Sequence, residues 1–523
     1  MRDLQRSLQD EIQECCTIRW TQKTLLPLPI GWGEGRGEGK SRHHWAKRHS
    51  LTHTSPCPLP SLRGSGEGIL SVVCPLSCGL ISMSMEMTTS HNLSTIMRQH
   101  SCSTRRTFLK GMAATLALGP VLLAAERRRP RIAALTTIYH KYSHSQHIID
   151  RFLEGYGWEG RHHRPEMDIV SLYVEQVGDN DLSRERARRH PGMKIYPTIA
   201  EALTQGGSNL DVDGVLLIGE HGKYPVNEKG QMLYPRYEYF QQIVDVYRRS
   251  GRSAPVFNDK HLSWNWDHAK RMYDTALELD FGFMAGSSLP VTWRQPSVDL
   301  PFGAQVEEVM GIWNGWLDGG DIHVLEAMQS IVERRRGGET GVRAVEAFRG
   351  ERFWKAMEAG SWKGGGWDPR LLEAALTRSN QLNPARPTYS NVFPTIADLR
   401  RLAPDSYAYR FEYVDGLKAS IVQFRGGVVG DCNVAARLKG DDYFSVQFYL
   451  PYYSMRNFFS PQVHHIETLF RTGRSPYPVE RTLLTTGMTA AGIESLFQQQ
   501  RRIETPHLAI GYKPTRQSTF WKT

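Results

Sequence analysis

The body of this 523-residue chain is almost without cysteine. Of seven cysteines, Cys15, Cys16, Cys57, Cys74, Cys78 and Cys102 all precede residue 103, which leaves only Cys432 beyond it. A lone thiol cannot close an internal disulfide, so the body must be stabilised by core burial. No apolar run reaches the roughly 20 residues that span a bilayer as a helix. Surplus charge is missing from the body too. Residues 1–125 hold 14 Lys and Arg against 8 Asp and Glu, and the rest hold 50 against 46, so most of the net +10 sits in the first quarter. No basic block in the remainder tracks phosphates, which excludes a nucleic-acid groove. What is present is ordinary: 40% hydrophobic and 23% charged residues, enough for two to four domains and unlike a disordered or collagenous chain.

Residues 1–96 show no sustained period of 2 or 3.6 and mix Gly, Pro, Ser and charge irregularly. They read as a disordered leader, or as translated upstream sequence ahead of a true start at Met97. The pair Cys74 and Cys78 lacks a second His or Cys pair at finger spacing, so no zinc finger is read there. Residues 97–125 are patterned. Arg105-Arg106-Thr107-Phe108-Leu109-Lys110 precedes an apolar stretch from Gly111 to Ala125. A twin arginine ahead of a hydrophobic run with small residues at its end predicts export by the twin-arginine machinery to a periplasmic or other extracytoplasmic site. Leu123 at the −3 position makes a poor cleavage site, so a tethered form is an alternative. That route carries folded proteins, which suits a body without disulfides.

From residue 126 to about 290, short β-branched runs alternate with helical patterns. Strands are predicted at 131–138, 167–174, 194–196, 212–218, 255–257 and 281–285, with helices at 143–153, 182–189, 198–203, 237–249 and 268–279. Apolar strands separated by helices of this length imply βαβ crossovers and a parallel, doubly wound Rossmann-type sheet, with its site at the carboxyl ends of the strands. From 291 to 515 the character changes. Extended runs at 305–313, 342–348, 407–413, 417–424, 428–435 and 444–450, with Asp415-Gly416 as a hairpin turn, predict an α+β domain. Its open sheet is mainly antiparallel with helices on one face, including 322–334, 461–470 and 479–498.

This order resembles the Gfo/Idh/MocA oxidoreductases. Four passages carry the likeness. They are Tyr196–Leu203 followed by Asp211–Ile218, then Pro255-Val256-Phe257-Asn258-Asp259-Lys260-His261 where the family has a strand and Glu-Lys-Pro. The third is Gly319-Gly320-Asp321-Ile322-His323-Val324-Leu325-Glu326, and the fourth the closing stretch Ile466 to Ile510. The resemblance spans about residues 131–511. It implies hydride exchange between NAD or NADP and a hydroxyl of a sugar or polyol, with Lys260 and His323 as catalytic acid/base and orienting groups. It also implies a homodimer or tetramer that pairs through the open face of the second sheet.

The departures matter as much. The family's phosphate-binding loop is Gly-x-Gly-x-x-(Gly/Ala), whose glycines let the backbone approach a pyrophosphate at a helix N-terminus. Here the first strand runs on through Leu135-Thr136-Thr137-Ile138-Tyr139-His140-Lys141-Tyr142-Ser143-His144, with no glycine. Cofactor contacts would then fall to Thr136, Thr137, Ser143 and His144, to Glu175 as the ribose-binding acid, and to Glu220 and His221 in the long loop after residue 218. The insert 155–165 stretches the interval to Glu175.

A lysine at the end of a buried strand is desolvated, which lowers its pKa towards working pH; the alternative is a solvated loop lysine paired with Asp259. For His323 the alternative is a first-turn helical histidine facing solvent or core. The family's acid before it would fall at Gly319, leaving Asp318 and Asp321 as near misses. His140, His144 and His147 have i, i+4, i+7 spacing, and His162, His163, His221 and His261 sit in loops. No tight HxH or HExxH joins them, so no metal site is assigned. Trp264, Trp266, Trp293, Trp313 and Trp316 read either as sugar-stacking surfaces or as core and interface residues. Two rivals to the redox reading stay open. One is a cofactor-free carbohydrate-binding protein. The other is a metal-dependent hydrolase or isomerase using His144, His221, Asp259 and His261.

Overall fold

A computed structural model describes residues 128–379, 393–451 and 457–522, all within one compact unit, Ala113–Thr523. The leader and the export segment of residues 97–125 lie outside the described residues.

The first half is built on β1 (Arg131–Thr136), whose last five residues are buried. Ser143 caps α1 (His144–Glu154) by accepting from the amide of Gln146. A small hairpin follows, β2 (Tyr156–Trp158) and β3 (Arg161–His163), which was read only as an insert. Then come β4 (Asp168–Val174), α2 (Ser183–Arg189), β5 (Lys194–Ile195), α3 (Ile199–Thr204), β6 (Gly214–Ile218), α4 (Arg236–Ser250), β7 (Val256–Asp259), α5 (Trp266–Glu278) and β8 (Phe283–Gly286). Outside that antiparallel hairpin all pairings of the first half are parallel, in the order β5-β4-β1-β6-β7-β8. The chain thus reverses its direction of growth between β1 and β6, the switch point where such sheets build their sites. Burial alternates with period two. Ile132, Ala134, Leu216, Ile218 and Phe257 face one core, while Ala133, Leu135, Val215, Leu217 and Val256 face the other. Covering both faces is why these strands read as unbroken apolar runs.

The second half contributes β9 (Arg294–Gln295), β10 (Val306–Trp313), α6 (Asp321–Val332), β11 (Val342–Arg349), α7 (Glu351–Glu358), α8 (Pro369–Leu376), α9 (Ile396–Leu402), β12 (Tyr407–Tyr413), β13 (Lys418–Gln423), β14 (Cys432–Leu438) and β15 (Asp442–Phe448). It closes with α10 (Ser460–Thr472), α11 (Glu480–Phe497) and β16 (Ile503–Glu504). The eight strands run β16-β11-β12-β13-β10-β14-β15-β9, and only the β10–β13 pairing is parallel. Asp415-Gly416 turns the β12–β13 hairpin, with Gly416 at φ 89°. The run expected at 428–435 starts as a strand only at Cys432, after Gly426 and Gly427 take positive φ.

Helices lie on both faces of this sheet, not on one. The face carrying Val309, Val345, Tyr409, Phe411 and Ile421 packs against α6 and α11. The other carries Met310, Ile312, Phe348, Val422 and Phe424, and it is sealed by Phe353, Trp354, Trp367, Leu371 and Leu399 from residues 350–403. The surface that the resemblance offers for pairing is therefore interior. Helix α10 crosses back to the first half, where Val463, Ile466, Leu469 and Phe470 join the core under β1 and β6. A Cβ on Gly214 would stand 2.6 Å from the Phe470 ring, which leaves room there for glycine alone.

Candidate functional site

At the carboxyl edge of the first sheet, the ends of β6 and β7 and the N-termini of α1, α4 and α6 bring Glu220, His221, Asp259, Lys260, His144, Arg236 and His323 together. Lys260 follows β7 in a left-handed conformation, φ 66°, which its amide secures by donating to Gly286 O at 3.2 Å. Its ammonium, 1% exposed, donates to Gly319 O at 3.0 Å and lies 3.1 Å from the Glu220 carboxylate, above the Trp316 ring. Glu220 is 2% exposed and also accepts from Arg236, whose side chain is wholly buried. Burial alone would raise the Glu220 pKa, but Lys260 and Arg236 together hold it well below the ordinary carboxylate range. Lys260 therefore has a counter-charge, and it is Glu220 rather than Asp259.

Asp259 serves His144 instead. Its carboxylate accepts from His144 Nδ1 at 2.7 Å. A carboxylate accepts, so the hydrogen of this contact sits on Nδ1. The His144 ring lies 5.3 Å from the His221 ring and 6.5 Å from that of His323. His323 Nδ1 contacts Ser287 Oγ, and Trp313 meets its ring edge-on. Burial, reinforced by Lys260 and His144, pushes the His323 pKa well below its usual value. Burial likewise lowers His221 to about 3 against the pull of Glu220. Both imidazoles are neutral at physiological pH. His221 and Asp318, like Lys260, are non-glycine residues at positive φ, 69° and 67°. Three such strained backbones around one site mark a geometry that the surrounding structure imposes.

The near-miss acids have other duties. Asp321 accepts from the hydroxyls of Tyr407 and Tyr409, the amide nitrogen of Gln423 and the backbone of Asp318. Burial lifts its pKa to about 6. Asp318, lifted to about 7 by burial with Asp321 and Glu220 adding, faces His261 at 3.4 Å. His261 contacts Asp318 and Arg236, and among the described residues it joins no metal-spaced group with His144, His221 and Asp259. The quartet His144, His221, Asp259 and His261 is thus not gathered as a ligand set. Of the five tryptophans, Trp313 and Trp316 flank this cluster. Trp264 packs on His268, Trp266 on His507 and Trp293 on Tyr449.

The residues expected to hold a dinucleotide are spent internally. Thr136 Oγ1 pairs with Ser145 and donates to Ile138 O, Thr137 Oγ1 donates to Glu220 O at 2.9 Å, and Ser143 caps its own helix. Where glycines would make room, Thr137–Ser143 is a filled loop. Tyr139 is fully buried, and the loop carbonyls of Thr137 and Tyr139 accept from Gln176 and Leu182. The loop after β6 then straps across the switch point. The Gln176 side chain exchanges two hydrogen bonds with the backbone of Lys223, and Tyr224 donates to Glu175, the expected ribose acid. The imidazole of His144, at the helix N-terminus where a pyrophosphate would sit, reaches instead to Asp259. A dinucleotide does not fit this crevice as it is built.

No protein-family model and no curated protein matches the chain. Solved structures do. One is GenD2 from gentamicin A biosynthesis in complex with NAD, at 13% identity, covering 72% of this chain and 96% of that one with a TM-score of 0.45. Another is myo-inositol 2-dehydrogenase from Lactobacillus plantarum, at 10%, 72% and 99%, TM-score 0.44. A third is myo-inositol dehydrogenase from Lactobacillus casei in complex with NAD(H) and myo-inositol, at 11%, 72% and 96%, TM-score 0.43. The strand orders given above decide the architecture. The chain has a parallel Rossmann-type six-stranded sheet followed by a mainly antiparallel eight-stranded sheet, the two-domain order that the sequence predicts.

Lys260, His323, His144, Glu220 and His221, all expected at the site, are brought into one place. Glu220 and His144, expected as cofactor contacts, are here the ion-pair partner of Lys260 and the imidazole of a His–Asp pair. Arg236 and Ser287 were missed. Nothing in the spacing marks them, because each meets the site through the tertiary fold.

Proposed function

We propose that this protein binds a small sugar- or polyol-like molecule between its two halves and moves protons on a hydroxyl- or carbonyl-bearing carbon, without a nicotinamide partner. The observation behind this reading is that His144–Asp259 and Lys260–Glu220 from the first half meet the neutral His323 of the second, in a crevice closed to a dinucleotide. His144, oriented by Asp259, takes the proton through Nε2. The Lys260 ammonium, fixed by Glu220 and Gly319, stabilises charge on the substrate oxygen as it develops, and His323 hydrogen-bonds a neighbouring hydroxyl. Keto–enol shift, epimerisation and elimination all fall within this repertoire. Export of the folded protein by the twin-arginine route, to act outside the cytoplasm, belongs to the same proposal.

The test has two arms on the full chain folded in the cytoplasm. Mass spectrometry of denatured protein is expected to find no stoichiometric NAD or NADP, and added dinucleotide to leave tryptophan fluorescence unchanged. Incubation with a panel of aldoses, ketoses and oxidised sugars in D2O is expected to give carbon-bound deuterium by NMR, lost in His144→Gln and Lys260→Met. Tightly bound NAD(P), or reduction of added dinucleotide by a polyol, would replace this reading with the hydride-transfer one. Saturable sugar binding without exchange would leave a carbohydrate-binding protein.

A further inference from the structure

Away from the cleft, the hairpin β2–β3 and helix α10 build a second cluster. The hairpin pairs Tyr156 with His163 and Trp158 with Arg161. Its entry requires a glycine, since Gly155 has φ 83° and a Cβ there would stand 2.4 Å from His163 O. His464 and Glu467, three residues apart on α10, lie on one helical face. His163 Nε2 stands 2.9 and 3.1 Å from the two Glu467 oxygens. The Tyr156 hydroxyl donates to Glu467 at 2.5 Å and lies 3.5 Å from His464 Nδ1. One ligand atom from each of His163, His464 and Glu467 falls within 4.8 Å of the other two, and among the described residues no other such trio occurs.

From this geometry we infer that His163, His464 and Glu467 form a divalent-metal site, with zinc as the best-matched ion, joining the inserted hairpin to α10. Two imidazoles and one carboxylate are a borderline-soft donor set that suits zinc over calcium or magnesium. Metal–ligand bonds of about 2.1 Å set donor atoms roughly 3.4 Å apart in a tetrahedron, so closing from 4.8 Å takes small side-chain movements. Glu467 is buried, while both histidines are half-buried, which leaves the fourth position to water or to the Tyr156 oxygen. Aromatic rings pack around the ligands. Trp158 stacks on His464 at 4.4 Å, and Trp521 from the C-terminal segment packs on Trp158 at 3.8 Å. The site lies outside the proton-transfer cluster and stands whether or not that reading survives. Its role is to fasten an excursion of the chain that the first sheet does not need.

The test is metal analysis of the untagged full chain, purified without chelator, followed by titration of stripped protein with zinc alone and with cobalt alone. One equivalent of zinc is expected to survive gel filtration. Cobalt is expected to give the visible absorption of a tetrahedral or five-coordinate ion with nitrogen and oxygen ligands. His464→Gln should weaken zinc at least about tenfold. His163→Gln is the second variant, and circular dichroism confirms that each is folded. Stoichiometric binding that persists unchanged in both variants places the metal elsewhere and overturns the assignment, as does wild-type protein that binds no zinc in excess metal. In that case the trio is a hydrogen-bonded latch.

Discussion

Replacing Glu220 by Gln tests the electrostatic logic of the cleft directly. Two cations with almost no solvent contact, Lys260 and Arg236, share this one carboxylate. Their remaining partners are weaker: Gly319 O and the Trp316 ring for Lys260, and for Arg236 His261, the Tyr234 ring and the Asp318 carboxyl, whose own pKa is raised. Removing one partner of a buried ion pair costs about 3–5 kcal/mol, because the uncompensated charge stays desolvated. Here two charges are stranded, so Glu220→Gln should fall at the upper end. Lys260→Met should cost less, since Glu220 keeps Arg236. The sharper expectation is the sign of the coupling. Adding Lys260→Met to Glu220→Gln removes one of the stranded cations and should restore about 1–3 kcal/mol. Urea unfolding followed by tryptophan fluorescence at pH 7 measures all four proteins. The acid limb adds a check. The folded-state pKa of Glu220 is depressed, so its stabilisation is present above the unfolded value near 4.3 and is lost as pH falls below it. Glu220→Gln should therefore be less sensitive to acid than the parent. A loss under 1 kcal/mol for Glu220→Gln, or further destabilisation on adding Lys260→Met, would refute the account.

Other consequences are independent of that pair. Asp318 has a raised pKa of about 7, so its penalty is absent below the unfolded carboxyl value and grows as pH rises from about 4 to 7; Asp318→Asn should flatten the stability profile across that window, read as urea midpoints at pH 5 and pH 8. Because α7, α8 and α9 seal the outer face of the second sheet, light scattering should show no dimer formed through that face, and Leu371→Ala beneath it should cost about 2–5 kcal/mol in urea. Gly214→Ala forces a methyl to 2.6 Å from Phe470 and should cost about 1–3 kcal/mol by overpacking. Tyr224→Phe with Gln176→Ala cuts the ties of the β6 loop to the end of β4, and amide exchange over residues 219–230 should quicken while the sheet stays protected.

What could be read in advance follows from what each signal reports. Strands β1 and β6 declared themselves because both their faces are buried, which forces runs such as Gly214–Ile218 to be apolar throughout, and the helices between them were bounded by Ser143, Thr198 and their apolar spacing. Helices α7, α8 and α9 escaped, although Phe353, Trp354 and Met357 or Leu371, Leu372 and Leu376 stand at helical intervals. Each is only seven or eight residues long, and glycines at 360 and 364–366 break the pattern between the first two. The site shows the sharper boundary. That the glycine loop was missing could be read from the sequence. What fills the space could not. A hydrogen bond from His144 to Asp259 spans 115 residues, and the ties from Gln176 to Lys223 and from Tyr224 to Glu175 span nearly 50. No local period records such pairs. Glu220 illustrates why role assignment fails at this level: its place after β6 was legible, and so was its charge. Whether a carboxylate there faces a ribose or an ammonium depends on where Lys260 and Arg236 arrive, and only the packed sheet decides that.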